Sequence, residues 1–368
     1  MKRAARASVL TSAHAALQTS DSCRAEKPWG DTAPDPDALA RQAQALLARG
    51  QPTLARRTLN NAAIGHQRAG RNDTALRCWL LAATLCRLQG QPAEASERSD
   101  RALALQGAAT PALLAADLQA EIGEIALTQG RAEAALAAFA AALARLDELP
   151  AGAAKTEPRR RGWLHHHARA AVAAGQADLA LQDLDALQAL SRQAGDGDAA
   201  RRAAVERATV LQQLGRDAQA MQAADELEQA IAGLAAAGVL PSERQQALAA
   251  DRADLHLLRC TEALRQGHGA AALAQARAAR EQALAGRSAG AYIGAALAIS
   301  RLSDAAADRS SAYAALATGW ATLADLLGPT LARAAFAPPL EALRQAWGSA
   351  AFGTVKRDHD QRRRAASP

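Results

Sequence analysis

The side chains in this 368-residue chain best suited to chemistry are the histidine run His165-His166-His167, three arginine runs and a few acid pairs. Imidazole is a common transition-metal ligand, which makes the histidines the first candidate. Adjacent residues on a helix point about 100° apart, however, and metal-binding helices use an i, i+4 pair instead. No carboxylate or cysteine stands at ligand spacing, so no metal is assigned; the alternative is a partly solvated helix start with one histidine turned to a groove. Arg159-Arg160-Arg161 and Arg201-Arg202 open expected helices and read as solvated turns. A helix N-terminus prefers acid, which keeps a phosphate or acidic-peptide contact open as a second reading. Arg362-Arg363-Arg364 near the C-terminus reads as an aid to solubility, with nucleic acid as the alternative.

The usual catalytic signatures are not assembled: there is no HExxH or GxxxxGKS/T, and no GxGxxG after a strand. The GDGD at Gly195 to Asp198 lacks the rest of a calcium loop, and Asp358-His359-Asp360 falls in an expected tail. Asp183 with Asp185, and Asp147 with Glu148, read as ordinary surface helix acids. Cys23, Cys78, Cys86 and Cys260 show no CxxC spacing, so neither a disulfide framework nor a zinc site is expected. The chain is not expected to be an enzyme, and no cofactor is assigned.

The elements that would position these groups are helices. Hydrophobic residues make up 49% of the chain but aromatics only 3%, and the apolar content is mostly Ala and Leu, which head the helix-propensity ranking. The fold class is therefore all-α. The net charge of +6 lies in the ends: Lys2, Arg3, Arg6, Arg24 and Lys27 outweigh Asp21 and Glu26, while Lys356, Arg357 and Arg362 to Arg364 outweigh Asp358 and Asp360. Residues 31–354 are neutral in sum, which argues against a broad phosphate-binding face. No stretch approaches the roughly 18 to 20 apolar residues of a membrane span. A cytoplasmic protein with a disordered leader is expected; the acid-free first twenty residues also resemble a transit peptide.

A signal recurs along the chain: a helix ends in Gly, a short polar step follows, and an Ala-rich helix resumes. It centres on Gly50, Gly90, Gly130, Gly175, Gly215 and Gly267, at spacings of 40, 40, 45, 40 and 52. Such a period marks a solenoid of helix hairpins. Seven residues before each Gly stands a small residue (Ala43, Ala83, Gly123, Ala168, Ala208, Cys260), and five after it an Ala (Ala55, Ala95, Ala135, Ala180, Ala220, Ala272). Helices approach closely only where both crossing residues are small.

In this frame the chain resembles the tetratricopeptide repeat family. Gly123, Ala135, Phe139 and Ala142 in EIGEIALTQGRAEAALAAFAAAL reproduce the family's eighth, twentieth, twenty-fourth and twenty-seventh positions. Leu59, Ser99, Leu184, Ala224 and Ala276 stand where Phe139 does in the other units. The units run to about 40 residues rather than 34, similar to the long-helix variety of large bacterial regulators and quorum-signalling receptors. The resemblance implies a right-handed α-solenoid of antiparallel helix hairpins.

Residues 1–36 are expected as a disordered basic leader, 37–328 as the repeat solenoid, 329–352 as capping helices after a break at Pro338-Pro339, and 353–368 as a disordered basic tail. Seven hairpins are expected: 37–49 with 52–69, 72–89 with 92–106, 111–129 with 131–148, 159–174 with 176–194, 197–214 with 216–237, 241–266 with 269–285, and 289–307 with 310–327. Gly70 fits the same frame with Ala63, Ala75 and Trp79, so the phase of the first two hairpins stays open. Trp79, Trp163, Trp320 and Trp347 read as plugs among small residues, and Trp29 in the leader as a docking anchor or as nothing in particular.

By the resemblance, the first helix of each hairpin lines a concave groove. Its lining residues would be Arg77, Thr84 and Arg87; Asp117, Glu124 and Thr128; His165 and Arg169; Arg202, Thr209, Gln212 and Gln213; and Asp254, Thr261 and Arg265. Gln44, Thr84, Glu124, Arg169, Thr209 and Thr261 occupy the ninth position, where the chaperone-binding subclass has Asn, so a clamp for a terminal carboxylate is rejected. The implied function is a protein-interaction scaffold or adaptor holding a partner peptide or helix. The alternatives are a regulatory sensor of a peptide or small ligand that signals to a separate effector and, more weakly, nucleic-acid binding through the basic ends.

Overall fold

A computed structural model describes residues 34–150, 156–236, 238 and 240–366. Among the described residues there are sixteen α-helices and no strand. The chain divides into two compact units, residues 1–187 and 188–368. The first unit holds α1 (Pro36–Ala48), α2 (Pro52–Arg68), α3 (Asn72–Leu88), α4 (Pro92–Leu103), α5 (Ala112–Thr128), α6 (Ala132–Asp147), α7 (Thr156–Ala173) and the start of α8 (Ala177–Gln193). The second holds α9 (Gly197–Gln213), α10 (Asp217–Ala236), α11 (Ser242–Arg265), α12 (Gly269–Ala285), α13 (Ala289–Ala305), α14 (Arg309–Leu327), α15 (Pro329–Trp347) and α16 (Ser349–Ala366). The fourteen helices of the seven expected hairpins are all present, with ends within three residues of the expected ones. No helix among the described residues is long and apolar enough to cross a membrane.

Six of the seven hairpin turns in α1–α14 are closed by a backbone device that the frame glycine makes possible. At Gly90 (φ +75°) the chain turns left-handed, and the amide of Gln91 then donates to the carbonyl of Cys86 at 2.9 Å. The device outlives the glycine in the second unit. Arg287 (φ 52°) and Ala307 (φ 59°) adopt the same left-handed conformation, and Ser288 and Asp308 donate to Ala283 and Ser303 at 2.9 and 2.8 Å. Asp308 also caps α14 by accepting from the Ser311 amide at 3.0 Å.

Within the first unit each helix from α1 to α7 packs on the next, and within the second each from α9 to α16 does. In addition α3 packs on α5 and α5 on α7 in the first unit, and α9 on α11 and α11 on α13 in the second. These next-but-one contacts put α3, α5 and α7 in one layer, which resolves the phase in favour of α1 and α3 as first helices. The small crossing residues are buried: Ala43, Ala55, Ala83, Ala95, Ala135, Ala180, Ala208, Ala220 and Ala272 are all 0% exposed. Phe139 lies where Gly123 leaves room, since a Cβ there would stand 2.8 Å from its ring. Phe336 and Gly319 repeat the arrangement near the C-terminus, again at 2.8 Å. Trp79 and Trp163 are buried as plugs; Trp320 and Trp347 are partly buried, and the Trp347 indole donates to Asp304 Oδ1 at 2.7 Å.

Three expectations about the ends meet different outcomes. Residues 1–33, with Cys23 and Trp29, lie outside the described residues. The break at Pro338-Pro339 is absent, because α15 runs through both prolines. A proline inside a helix costs about 3 kcal/mol; Ala332, Phe336 and Leu343 offset this by staying buried together in one apolar cluster. The segment 353–366, expected as disordered, is helical in α16. It is held by two aromatic residues seven apart, Phe352 and His359, which meet the Tyr313 ring edge-on at 5.4 and 5.3 Å. Arg362 adds a hydrogen bond to the Ser310 hydroxyl at 2.7 Å.

An L residue in the left-handed region costs about 1–2 kcal/mol, partly compensated by its lower chain entropy when unfolded. Ala307→Gly should therefore stabilise the second unit by about 0.5–1 kcal/mol, seen as a higher urea midpoint at unchanged slope.

Candidate functional site

Of the fifteen side chains expected to line a groove, the layer of first helices brings several into contact with one another. In the first unit the Arg87 guanidinium reaches from α3 to α5. Its Nε and Nη2 donate to the two carboxylate oxygens of Glu121 at 2.7 and 3.1 Å, and its Nη1 to Glu124 Oε2 at 3.4 Å. From α7, Arg159 forks onto Asp117 at 2.6 and 3.0 Å, and His166 Nδ1 lies 2.9 Å from Glu124 Oε1. The three acids of α5 stand at spacings of four and three, hence on one face, and each is claimed by a cation or imidazole of a neighbouring first helix.

Burial makes this ladder electrically tense. It pushes the Glu121 carboxyl above the usual range, against the pull of Arg87. Burial also raises Glu124, but the His166 hydrogen bond and the charges of His166, Arg87 and Arg169 outweigh it and hold that carboxyl low. For Arg87 burial acts downward and is overcome by Glu121, so the guanidinium stays charged.

The expected solvated arginine turns are corrected here. Arg159 is paired as above, Arg160 Nη1 reaches Asp147 Oδ1 at 2.7 Å, and Arg201 is buried, with Nε on Asp251 Oδ2 at 2.7 Å and Nη1 on Asp198 Oδ1 at 3.0 Å. Acids from neighbouring elements outbid the unfavourable helix start. Asp183 is likewise no surface acid: it is buried, and its Oδ2 lies 2.6 Å from His167 Nδ1. The histidine run thus diverges. His167 faces α8, His166 turns to Glu124 and stacks on Phe139 at 5.7 Å between ring centroids, and His165 lies half-buried against His166. Among the described residues no three His, Cys, Asp or Glu are grouped to hold a metal ion.

In the second unit Gln212 donates to the Leu258 carbonyl at 2.8 Å, and Arg265 pairs with Asp217 and donates to the Gln212 carbonyl at 3.0 Å. Asp254 is half-buried on α11. Burial, then the charges of Asp251 and Glu206, push its carboxyl up to about 6. The threonines are spent locally: Thr84, Thr128, Thr209 and Thr261 donate to Leu80, Ile125, Val205 and Leu257 carbonyls. Arg77 is half-buried on α3. Arg169, Arg202 and Gln213 are exposed and make no hydrogen bond or ion pair with any described residue; their charge neighbours are Glu124 for Arg169 and Asp251 for Arg202. Reading the sequence missed Glu121 and Asp251, and with them the pairings with acids that hold Arg159, His166 and Arg201. The acid stripe of Asp117, Glu121 and Glu124 was there to be seen, but its cations lie 34 to 42 residues away on other helices.

No protein-family model and no curated protein matches the sequence. Solved structures do match in fold. The apo form of the quorum sensor NprR from B. thuringiensis is 11% identical, covering 84% of this chain and 81% of that one at a TM-score of 0.54. The apo form of RapI is 11% identical over 88% of this chain and 85% of its own, also at 0.54. NprR in complex with its cognate peptide NprX matches at 0.51, 11% identical over 85% and 84% of the two chains. The chain has the tetratricopeptide-type fold of antiparallel helix hairpins.

Two outcomes follow from these charges. Removing one partner of a buried ion pair costs about 3–5 kcal/mol; Arg87→Ala should fall in that range, checked by chemical unfolding, because it strands Glu121 and Glu124 together. For Asp254 the ordinary value is 3.8 and the folded one about 6, so the protonated form's stability is full at acid pH and is lost as pH rises through 6. Asp254→Asn should thus raise stability at pH 7.5 by about 1–2 kcal/mol and remove this residue's share of the pH dependence between 4 and 6, as read from melting curves.

Proposed function

We propose that the chain is an adaptor whose layers of first helices, one in each unit, hold a peptide or helical segment of another protein. The observation that carries this is a set of exposed polar side chains there that make no hydrogen bond or ion pair with any described residue: Arg169 in the first unit, and Arg202 and Gln213 in the second. Long side chains lose rotamer freedom on binding, so exposed ones on an ordered helical wall suit a ligand that offers charge-assisted hydrogen bonds in return. The ionised state of Asp254 points the same way. It costs stability, as residues kept for binding commonly do.

A second reading is a regulatory sensor, in which a bound peptide or small ligand changes hairpin packing and a separate effector reads the change. It is favoured by the fold likeness to NprR and RapI over more than four-fifths of the chain. Both readings place the ligand on the same layer and differ in what the partner does next.

Affinity capture from the native host, with the wild type beside an Arg169→Glu, Arg202→Glu variant, tests the shared part. A protein retained by the wild type and lost from the variant is the expected result. Equal retention by both would remove the first-helix layer from consideration and move the interaction to the opposite face.

A further inference from the structure

The inference rests on the peptide reading and names the chemistry that the first unit recognises. Helix α7 packs on α6 through Trp163 and Ala170, in one cluster with Phe139 and Leu146, and the rest of its surface has three parts. One meets α5 through Arg159 on Asp117 and His166 beside Glu124. The second meets α8 through His167 and Asp183, with Ala168 and Ala171 buried beside them. The third carries Arg161, His165 and Arg169, spaced by four and so aligned over roughly 12 Å of helix. The one acid in α7, Glu157, precedes this stripe in the first turn.

Charge bookkeeping across the layer singles out Arg169. Every acid of α5 is already committed: Asp117 to Arg159, Glu121 to both arms of Arg87, and Glu124 to Arg87 and His166. Arg169 feels the Glu124 charge but makes no hydrogen bond with any described residue, and it is exposed. A guanidinium is a planar fork that stays charged and matches a carboxylate two bonds at a time. The first-helix layer of this unit therefore offers an accessible guanidinium fork that makes no hydrogen bond or ion pair with any described residue and lies near a carboxylate taken up elsewhere. We infer that this layer binds an acidic peptide, with one Asp or Glu side chain of the ligand seated on Arg169.

A phage-displayed library of random heptapeptides, panned on the full chain, tests this. Enriched sequences should share an acid at one position. The best of them is then synthesised with and without that acid, as Asp→Asn or Glu→Gln, and titrated by calorimetry against the wild type and Arg169→Ala. A charged hydrogen-bonded pair corresponds to about a tenfold to hundredfold change in affinity. Either single change should weaken binding by that factor, and both together by little more, because the second change removes nothing that the first has left. Arg169 is exposed, so the variant's helical circular dichroism should match the wild type's. If peptides enrich without a shared acid, or if losing the acid weakens binding to Arg169→Ala as much as to the wild type, the Arg169 assignment is wrong while peptide binding stands. If no peptide enriches, the peptide reading itself fails, and this inference with it.

Discussion

Two helices can lie against each other at the short end of the usual 8–10 Å spacing only if the side chains where they cross are small. In this chain that condition is met hairpin after hairpin by Ala, by Gly123 and by Cys260, and most of the rest of the structure is a response to it. The core is mostly methyl groups and leucines, and two of its large rings sit where a glycine has made room, Phe139 against Gly123 and Phe336 against Gly319. A crossing alanine buries little area, so each hairpin is thin, and polar residues of neighbouring first helices come within reach of one another.

Those polar residues then set how one hairpin sits on the next. Apolar contacts between alanines are nearly indifferent to a shift of register, whereas a fork such as Arg87 on Glu121, or Arg159 on Asp117, is satisfied at one spacing only. Buried pairs of this kind contribute little net stability compared with apolar replacements. What they supply here is alignment of α3, α5 and α7, at the expense of holding Glu121 ionised in a site that favours the neutral acid.

The parts legible in the sequence are those in which one local rule repeats. The glycine-terminated helices and the small residues at fixed offsets were visible because each obeys a spacing shorter than one hairpin, and they located fourteen helices. The ion-pair ladder was not visible, because Arg87 and Glu121, or Arg201 and Asp251, meet through the fold and obey no spacing along the chain. The arginine runs were read by their helix-dipole setting alone, and the acids that override it belong to other elements. The two C-terminal departures have the same root. Proline in α15 and polarity in α16 are local signals, while what decides each segment is a distant partner: the cluster around Phe336 in one case and the Tyr313 ring in the other. Of the candidate site, the polar positions of the first helices were legible. Which of them are already consumed by a neighbour was not.

The docking of α16 has a mechanical consequence. In an array whose members touch only near neighbours, resistance to unfolding is a local property and need not be shared evenly along the chain. Helix α16 is held to α14 by the edge of the Tyr313 ring and the Arg362–Ser310 hydrogen bond, among other contacts, and to α15 by Phe352 beside Trp347, whereas the end of α12 lies so close to α11 that Gly286 has no space for even a methyl group beside the Ala250 backbone. A protease, a chaperone or a pulling force acting on α16 would therefore peel it away before it disturbed the hairpins behind it, and the array would ravel helix by helix rather than collapse as a whole.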